Sequence, residues 1–315
     1  MIAPGSISGH FDLKVYDAYT GKLTNSRSFP NLITNQGLIA YCGGGNIGDF
    51  VYDIYACVGN GTSTPTPEDT TLASHLKNSN KVSSGTWKSL IAPTAPDWIS
   101  GVSCTVRFNA GTFDGTTITE IGITNGKSNN PVWCRALILD EQGQPSAIVV
   151  LANEYLDVTY TLYYHPKLDD TEFQFQMDGV TYNCIARTAF VSSQAFYLNY
   201  PLMGPYFSFG AVYNTQTLGD VTGEPVYSSG GRITLNIPPS SVAYSSETPY
   251  TFRRKFNLAL SQGNFDGGIG AALVRSTTIN GMNPQTQISF TPKLPKDANT
   301  EMSFTLARTM ARWTP

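Results

Sequence analysis

"YLDVTYTLYY", residues 155–164, decides the class of this fold. Leu156, Val158, Tyr160, Leu162 and Tyr164 fall on one side of an extended chain, with Asp157, Thr159 and Thr161 on the other. A helix would scatter those apolar residues round its circumference, whereas a strand collects them on one face. The stretch therefore reads as a half-buried antiparallel strand. Working outward, the same alternation recurs in Cys104, Val106 and Phe108, in Ile233, Leu235 and Ile237, and in Phe256, Leu258 and Leu260. Turn dipeptides separate these runs: Asp-Gly at 114–115 and 178–179, Asn-Gly at 60–61, 125–126 and 280–281, and Gln-Gly at 142–143. Helical periodicity is confined to two short stretches, "NQGLIAYC" at 35–42 and "EDTTLASHL" at 68–76. The pattern predicts an all-β protein with at most short helices.

The chain has 315 residues, enough for two domains. Charged residues make up 14%, against roughly 25% in an average soluble protein. Gly (29), Pro (19) and Tyr (17) take their place, the palette of strands and turns. A net charge of −3 supplies no basic field for nucleic acid or an anionic membrane surface. The one basic cluster, Arg253, Arg254 and Lys255, reads as protective charge on an exposed strand edge. No apolar run approaches the ~20 residues of a membrane helix, and residues 1–12 have neither the basic nor the apolar region of a secretory signal. Cys42, Cys57, Cys104, Cys134 and Cys184 are odd in number and scattered. They read as free, apolar thiols in a reducing cytoplasm, and neither a metal site nor a cofactor is expected.

Short segments recur in order along the chain. Phe11 matches Phe173 at an offset of 162, "ITNQGL" (33–38) matches "VSSQAF" (191–196) at 158, and "YACVGNGTS" (55–63) matches "FGAVYNTQT" (209–217) at 154. "FDG" at 113–115 recurs at 265–267, an offset of 152, and "YTL" (160–162) matches "FTL" (304–306) at 144. An order that is kept while the offset drifts one way points to an internal duplication. The reading is two tandem antiparallel β-sandwich-like domains, 1–165 and 166–315, joined where Pro166 ends a strand.

Catalytic motifs are missing. Gly43, Gly45 and Gly48 spell G-x-G-x-x-G. A dinucleotide loop follows a strand and opens a helix, and here the order is reversed. His10, His75 and His165 are far apart in sequence and none belongs to a nucleophile motif. Asp140 with Glu141, and Asp169 with Asp170, would point to opposite faces of a strand and read as solvated turn residues. "MDGV" (177–180) and "FDGG" (265–268) lack the spaced acidic series of a calcium loop and read as turns. The expectation is a protein that is not an enzyme. One resource remains, the aromatic stretch "FYLNYPLMGPYFSFGAVY" (196–213). Tyr197, Tyr200, Tyr206 and Phe207 in it are candidate interface residues, or a platform for stacking on sugar rings.

"FPNLITNQGL" (29–38) resembles a segment near the start of many virion structural proteins of tailed bacteriophages, where a strand carrying N-L-I-T leads into x-G-L and a short helix. "IYACVGNGTSTPTPEDTTLASHL" (54–76) is similar to that family's apolar strand followed by G-x-G-T-x-x-P and D-T-x-L. "ITEIGITN" (118–125), "CRALILDEQGQP" (134–145) and "IVVLANEYLDVTYTL" (148–162) resemble its closing strands. The resemblance implies assembly into a phage tail as a fibre, baseplate or adaptor component, and no catalytic residues. Its partners would be copies of this chain and other virion tail proteins, after synthesis in the host cytoplasm. No collagen-like repeat, heptad or hexapeptide repeat is present, so a compact two-domain body is expected rather than a long shaft. The alternative is a receptor-binding tail protein recognising host surface glycan, and a third reading is a polysaccharide-degrading tail enzyme.

Overall fold

Alternating residues become strands almost wherever the pattern is visible. The computed structural model describes residues 2–42, 54–80, 88–92, 99–124, 126, 131–189, 206–219, 232–237, 241–244, 250–277 and 285–314. Apart from one eight-residue helix, the elements among these are strands, and the protein is all-β. Contacts divide the chain into two units. The amino-terminal unit is Ser6–His165 with Arg312–Pro315, and the carboxy-terminal unit is Met1–Gly5 with Pro166–Ala311.

The amino-terminal unit is built from β1 (Ile2–Asp17), β2 (Leu23–Ile33), α1 (Asn35–Cys42), β3 (Tyr55–Gly59), β4 (His75–Ser79), β5 (Lys88–Ala92) and β6 (Ile99–Phe108). It continues with β7 (Thr116–Ile118), β8 (Glu120–Thr124), β9 (Val132–Leu137), β10 (Ile148–Val150) and β11 (Glu154–Pro166). Pairing runs β1-β2-β9-β8-β3-β4, while β11 pairs with β1 and β6, and β6 with β5. The sheet therefore continues from one layer to the other through β1. In β11, Leu156, Val158, Tyr160 and Leu162 are all buried, as their spacing predicts. Phe11 meets Phe29 at 6.1 Å and Tyr160 at 5.2 Å between ring centroids. Thr161, expected on the outer face, is buried too, so that face is covered in the middle of the strand.

The carboxy-terminal unit comprises β12 (Thr171–Met177), β13 (Val180–Ala189), β14 (Tyr206–Tyr213), β15 (Arg232–Ile237), β16 (Ser241–Tyr244), β17 (Thr251–Leu258), β18 (Ile269–Thr277), β19 (Gln285–Leu294) and β20 (Met302–Arg312). One sheet runs β12-β13-β19-β18-β14-β15, and β16-β17-β20 forms a second layer whose β20 also pairs with β1, the strand whose first residues, up to Gly5, belong to this unit. Cys184, Val212, Ile288 and Phe290 of the first layer pack with Phe256, Leu258 and Phe304 of the second into one core. Burying each such side chain contributes about 1.5–3 kcal/mol.

The two strand orders match within each layer and differ at the joint, where β11 pairs with β1 but β20 does not pair with β12. β12, β13, β19, β18, β14 and β15 stand where β1, β2, β9, β8, β3 and β4 stand, and β16, β17 and β20 match β5, β6 and β11. Register is preserved as well. Cys104 lies opposite Tyr160 and Val106 opposite Val158. An offset of 152 carries Cys104 to Phe256, and 144 carries Tyr160 to Phe304, and Phe256 lies opposite Phe304. Likewise Val58 faces Ile121, and its counterpart Val212 faces Ala272 on β18. Of the five matched segments, four occupy equivalent strands or loops. The fifth falls partly on 191–196, outside the described residues.

Three expectations are corrected. Residues 68–76 form no helix; they are a loop running into β4, because side chains described below hold their amides in other directions. Leu260 is 46% exposed, since β17 ends at Leu258 and the chain turns through Gln262. Arg253, Arg254 and Lys255 are not on a sheet edge, because β17 pairs with both β16 and β20. The expected helix at 35–42 is α1.

Candidate functional site

The segments singled out at 29–38, 54–76, 118–125 and 134–145 meet at one network. Thr34 caps α1: its hydroxyl accepts the Gly37 N–H at 3.0 Å and donates to the Val132 carbonyl at 2.7 Å. A Cβ on Gly37 would lie 1.9 Å from the Trp133 carbonyl oxygen, so only glycine lets the helix lie this close to β9.

Glu120 on β8 and Arg135 on β9 are the centre. Both stand in strands whose other residues are nearly all buried, and they are themselves 0% and 2% exposed. Arg135 donates through Nε to Glu120 Oε2 at 2.9 Å, through Nη1 to Asp69 Oδ2 at 2.6 Å, and through Nη2 to the Ser63 carbonyl and hydroxyl at 2.9 Å. Glu120 also accepts the backbone N–H groups of Gly61 (3.0 Å), Ala73 (3.1 Å) and Ser74 (2.7 Å). A Cβ on Gly61 would meet the Glu120 carboxylate at 2.4 Å, which is why the G-x-G-T stretch needs its second glycine. A buried ion pair is tolerable only when its donors and acceptors are met in this way.

The network holds the loop between β3 and β4. Residues 62–64 and 70–71 are exposed, while Leu72 inserts between Cys57 and Val132. Further ties come from the Asn35 N–H to the Pro67 carbonyl (2.7 Å) and the Val132 N–H to the Thr70 carbonyl (2.9 Å). Burial pushes the Asp69 carboxyl up. The Thr66 N–H and hydroxyl and the Arg135 guanidinium outweigh it and leave Asp69 below its ordinary value. The result is a Ser/Thr/Pro-rich loop presented to solvent on a rigid support, the usual arrangement for recognition.

The carboxy-terminal unit repeats the device with a neutral side chain. The offset of 152 carries Arg135 to Gln287, which is buried as well, at 0% exposed. Its amide accepts the Gly219 N–H and donates to the Gly219 carbonyl, both at 2.8 Å, in the stretch that follows β14.

The sequence-predicted residues fare unevenly. Tyr197 and Tyr200 lie outside the described residues, as do Gly43, Gly45 and Gly48. Tyr206 and Phe207 open β14, opposite Thr277 and Ser276 of β18. His165 accepts or donates to the Ser8 hydroxyl at 2.8 Å and stacks on Trp313 at 4.4 Å. His10 meets Ser28 at 2.8 Å, and the Ser28 hydroxyl donates to Asp12, so His10 is the donor there rather than a base. Asp140 accepts the N–H groups of Gln142 and Gln144 within its turn, and Asp170 forms a bidentate pair with Arg187 at 2.7 Å. Asp178 and Gly179 both have positive φ, as a two-residue hairpin requires. Among the described residues no group of three or more His, Cys, Asp or Glu is gathered to hold a metal ion, and no helix is long and apolar enough to cross a membrane.

Glu120, Arg135 and Asp69 went unnoticed as a unit in the sequence. Their signal is one acidic and one basic residue inside otherwise apolar strands, in "TEIGIT" and "VWCRAL", with an Asp far upstream in the β3–β4 loop. Compared with protein families, curated sequences and solved structures, the chain matches none.

Proposed function

We propose that this chain is a structural component of a bacteriophage tail, in a baseplate, fibre attachment, collar or short appendage. It assembles by contacts with copies of itself and with other tail proteins, and it resides in the virion tail. One observation carries the reading: the segments that resemble tail-protein elements converge on the Glu120–Arg135 network, which presents the 62–71 loop. Low charge and duplicated sandwich units support it, since assembling surfaces are poor in charge at their cores. The mechanism is burial, with loops held rigid beforehand so that little ordering entropy is lost on docking.

The test is on particles. Virions of a phage encoding the chain, banded on a density gradient, should contain it at a fixed copy number by quantitative mass spectrometry. Gold-labelled antibody should mark the tail in electron micrographs. Absence of the chain from intact particles would overturn the reading.

A further inference from the structure

Resting on that assembly reading, we infer that the open edge of β12 is where the chain pairs with a second copy of itself, β12 against β12, antiparallel about Gln174. The two units supply the contrast. In the amino-terminal unit the opening strand β1 is hydrogen-bonded on both sides, to β2 and to β11, and it pairs with β20 as well. Its counterpart β12 pairs only with β13, so one row of its backbone donors and acceptors has no strand partner among the described residues. In the first unit such an edge is filled by an antiparallel strand of the same chain, β11. The equivalent strand of the second unit, β20, pairs with β17 and β1 and not with β12, which leaves the β12 edge without that neighbour.

Exposed edges are normally guarded by charge, proline or shortness. Among the other edge strands, β4, β5 and β15 contain Lys77, Lys88 and Arg232, and β7, β10 and β16 have only three or four residues. β12 reads "TEFQFQM": seven residues without lysine, arginine, proline or glycine. Its apolar residues Phe173, Phe175 and Met177 pack on the core yet remain partly exposed. Val180, 43% exposed, stands at the hairpin end opposite Met177.

The sequence of β12 is complementary to itself. Centred on Gln174, antiparallel pairing sets Phe173 against Phe175 of the other copy, twice. It sets Glu172 against Gln176, so the strand's single charge never meets its like. Aromatic pairs across strands are favourable and like charges are not. A contact that repeats itself about a twofold axis closes at two copies.

The experiment uses the full-length chain. In this register the two Gln174 Cα atoms lie directly opposite, about 4.5–5.5 Å apart, a separation a disulfide spans. Gln174→Cys, mildly oxidised, should run as a covalent dimer on a non-reducing gel. Glu172→Cys alone should not, and Glu172→Cys with Gln176→Cys should restore the cross-link. Light scattering should give a mass for Gln174→Lys half that of the unsubstituted protein, with an unchanged circular dichroism spectrum. Should Gln174→Lys fail to fold, the cysteine set decides alone. A monomer of 34.2 kDa at all concentrations would overturn the inference. So would an oligomer that ignores Gln174→Lys and gives no cross-link at 174. Failure here with the chain present in virions leaves the tail reading intact and assigns the edge to another tail protein. Cross-linking with the chain absent from virions does the reverse.

Discussion

At Arg135 the guanidinium meets a carboxylate, a second carboxylate, a hydroxyl and a carbonyl without leaving the protein interior. Removing it strands Glu120 as an unpaired buried charge, so Arg135→Met should cost about 3–5 kcal/mol in urea unfolding. Arg187 makes an equally short bidentate pair with Asp170, but both side chains are about a third exposed. Arg187→Met should cost under about 1 kcal/mol. Comparable ion-pair distances with unequal loss are the signature of desolvation rather than distance. Gly37 offers a second residue-scale test. Its Cβ-to-be lies against a backbone carbonyl that cannot rotate away, so Gly37→Ala should cost about 3 kcal/mol, the upper end of overpacking. The thiols are a third. Burial pushes Cys104 and Cys134 up to about 12 and Cys184 up to about 11, and Cys57 higher still. These four should ignore a thiol reagent at pH 8 until the protein is unfolded, because the reactive species is the thiolate.

At the scale of elements, the β3–β4 loop is the part whose behaviour departs from its appearance. Ala73 and Ser74 are exposed, yet their amides are spoken for by Glu120. Hydrogen exchange should find these two amides protected well above those of neighbouring exposed turns, and Glu120→Ala should release them together with Gly61. If they exchange at the rate of a free loop in the unsubstituted protein, the loop is not held as described. The same geometry accounts for the failed helix at 68–76. A helix would turn the Ala73 and Ser74 amides onto carbonyls four residues back, whereas the buried carboxylate draws both toward β8. Local periodicity loses to a charge that has no other way to be satisfied.

Over the whole molecule, acid is the lever the carboxylates define. Burial raises Asp69, but Thr66 and Arg135 hold it below its ordinary 3.8, and the Arg187 hydrogen bonds lower Asp170 likewise. A carboxylate depressed in the fold contributes stability above its unfolded pKa and loses it as pH falls through the folded value. Stability should therefore be flat from pH 7 to about 5 and decline below about 4. Urea midpoints at a series of pH values will check this, and a maximum at pH 3 would contradict it. The duplicated architecture is the other property of this scale. The two copies keep register and the strand order within each layer, while the residue beneath the clamped loop changes from Arg135 to Gln287. What is held in common is a buried side chain that bonds the backbone after the third strand. Charge is dispensable where no carboxylate is buried beside it.

The sequence by itself determined the class and the repeat. A period of two is a property of the extended chain, so Leu156, Val158, Tyr160 and Leu162 announce a strand before any partner is known. Drifting offsets between matched segments announce equivalent strands, and the register of β17 on β20 follows from that of β6 on β11. Only the tertiary structure decided which charges are buried. Asp69, Glu120 and Arg135 lie 51 and 15 residues apart along the chain, and nothing local distinguishes them from surface charges. Their pairing depends on three separate segments closing round one point, and that closure also converts an apparent helix into a loop. Edge status is decided in the same way. Arg253–Lys255 is an interior strand and β12 an open one, because hydrogen-bonding neighbours are chosen by topology rather than by the strand's own residues.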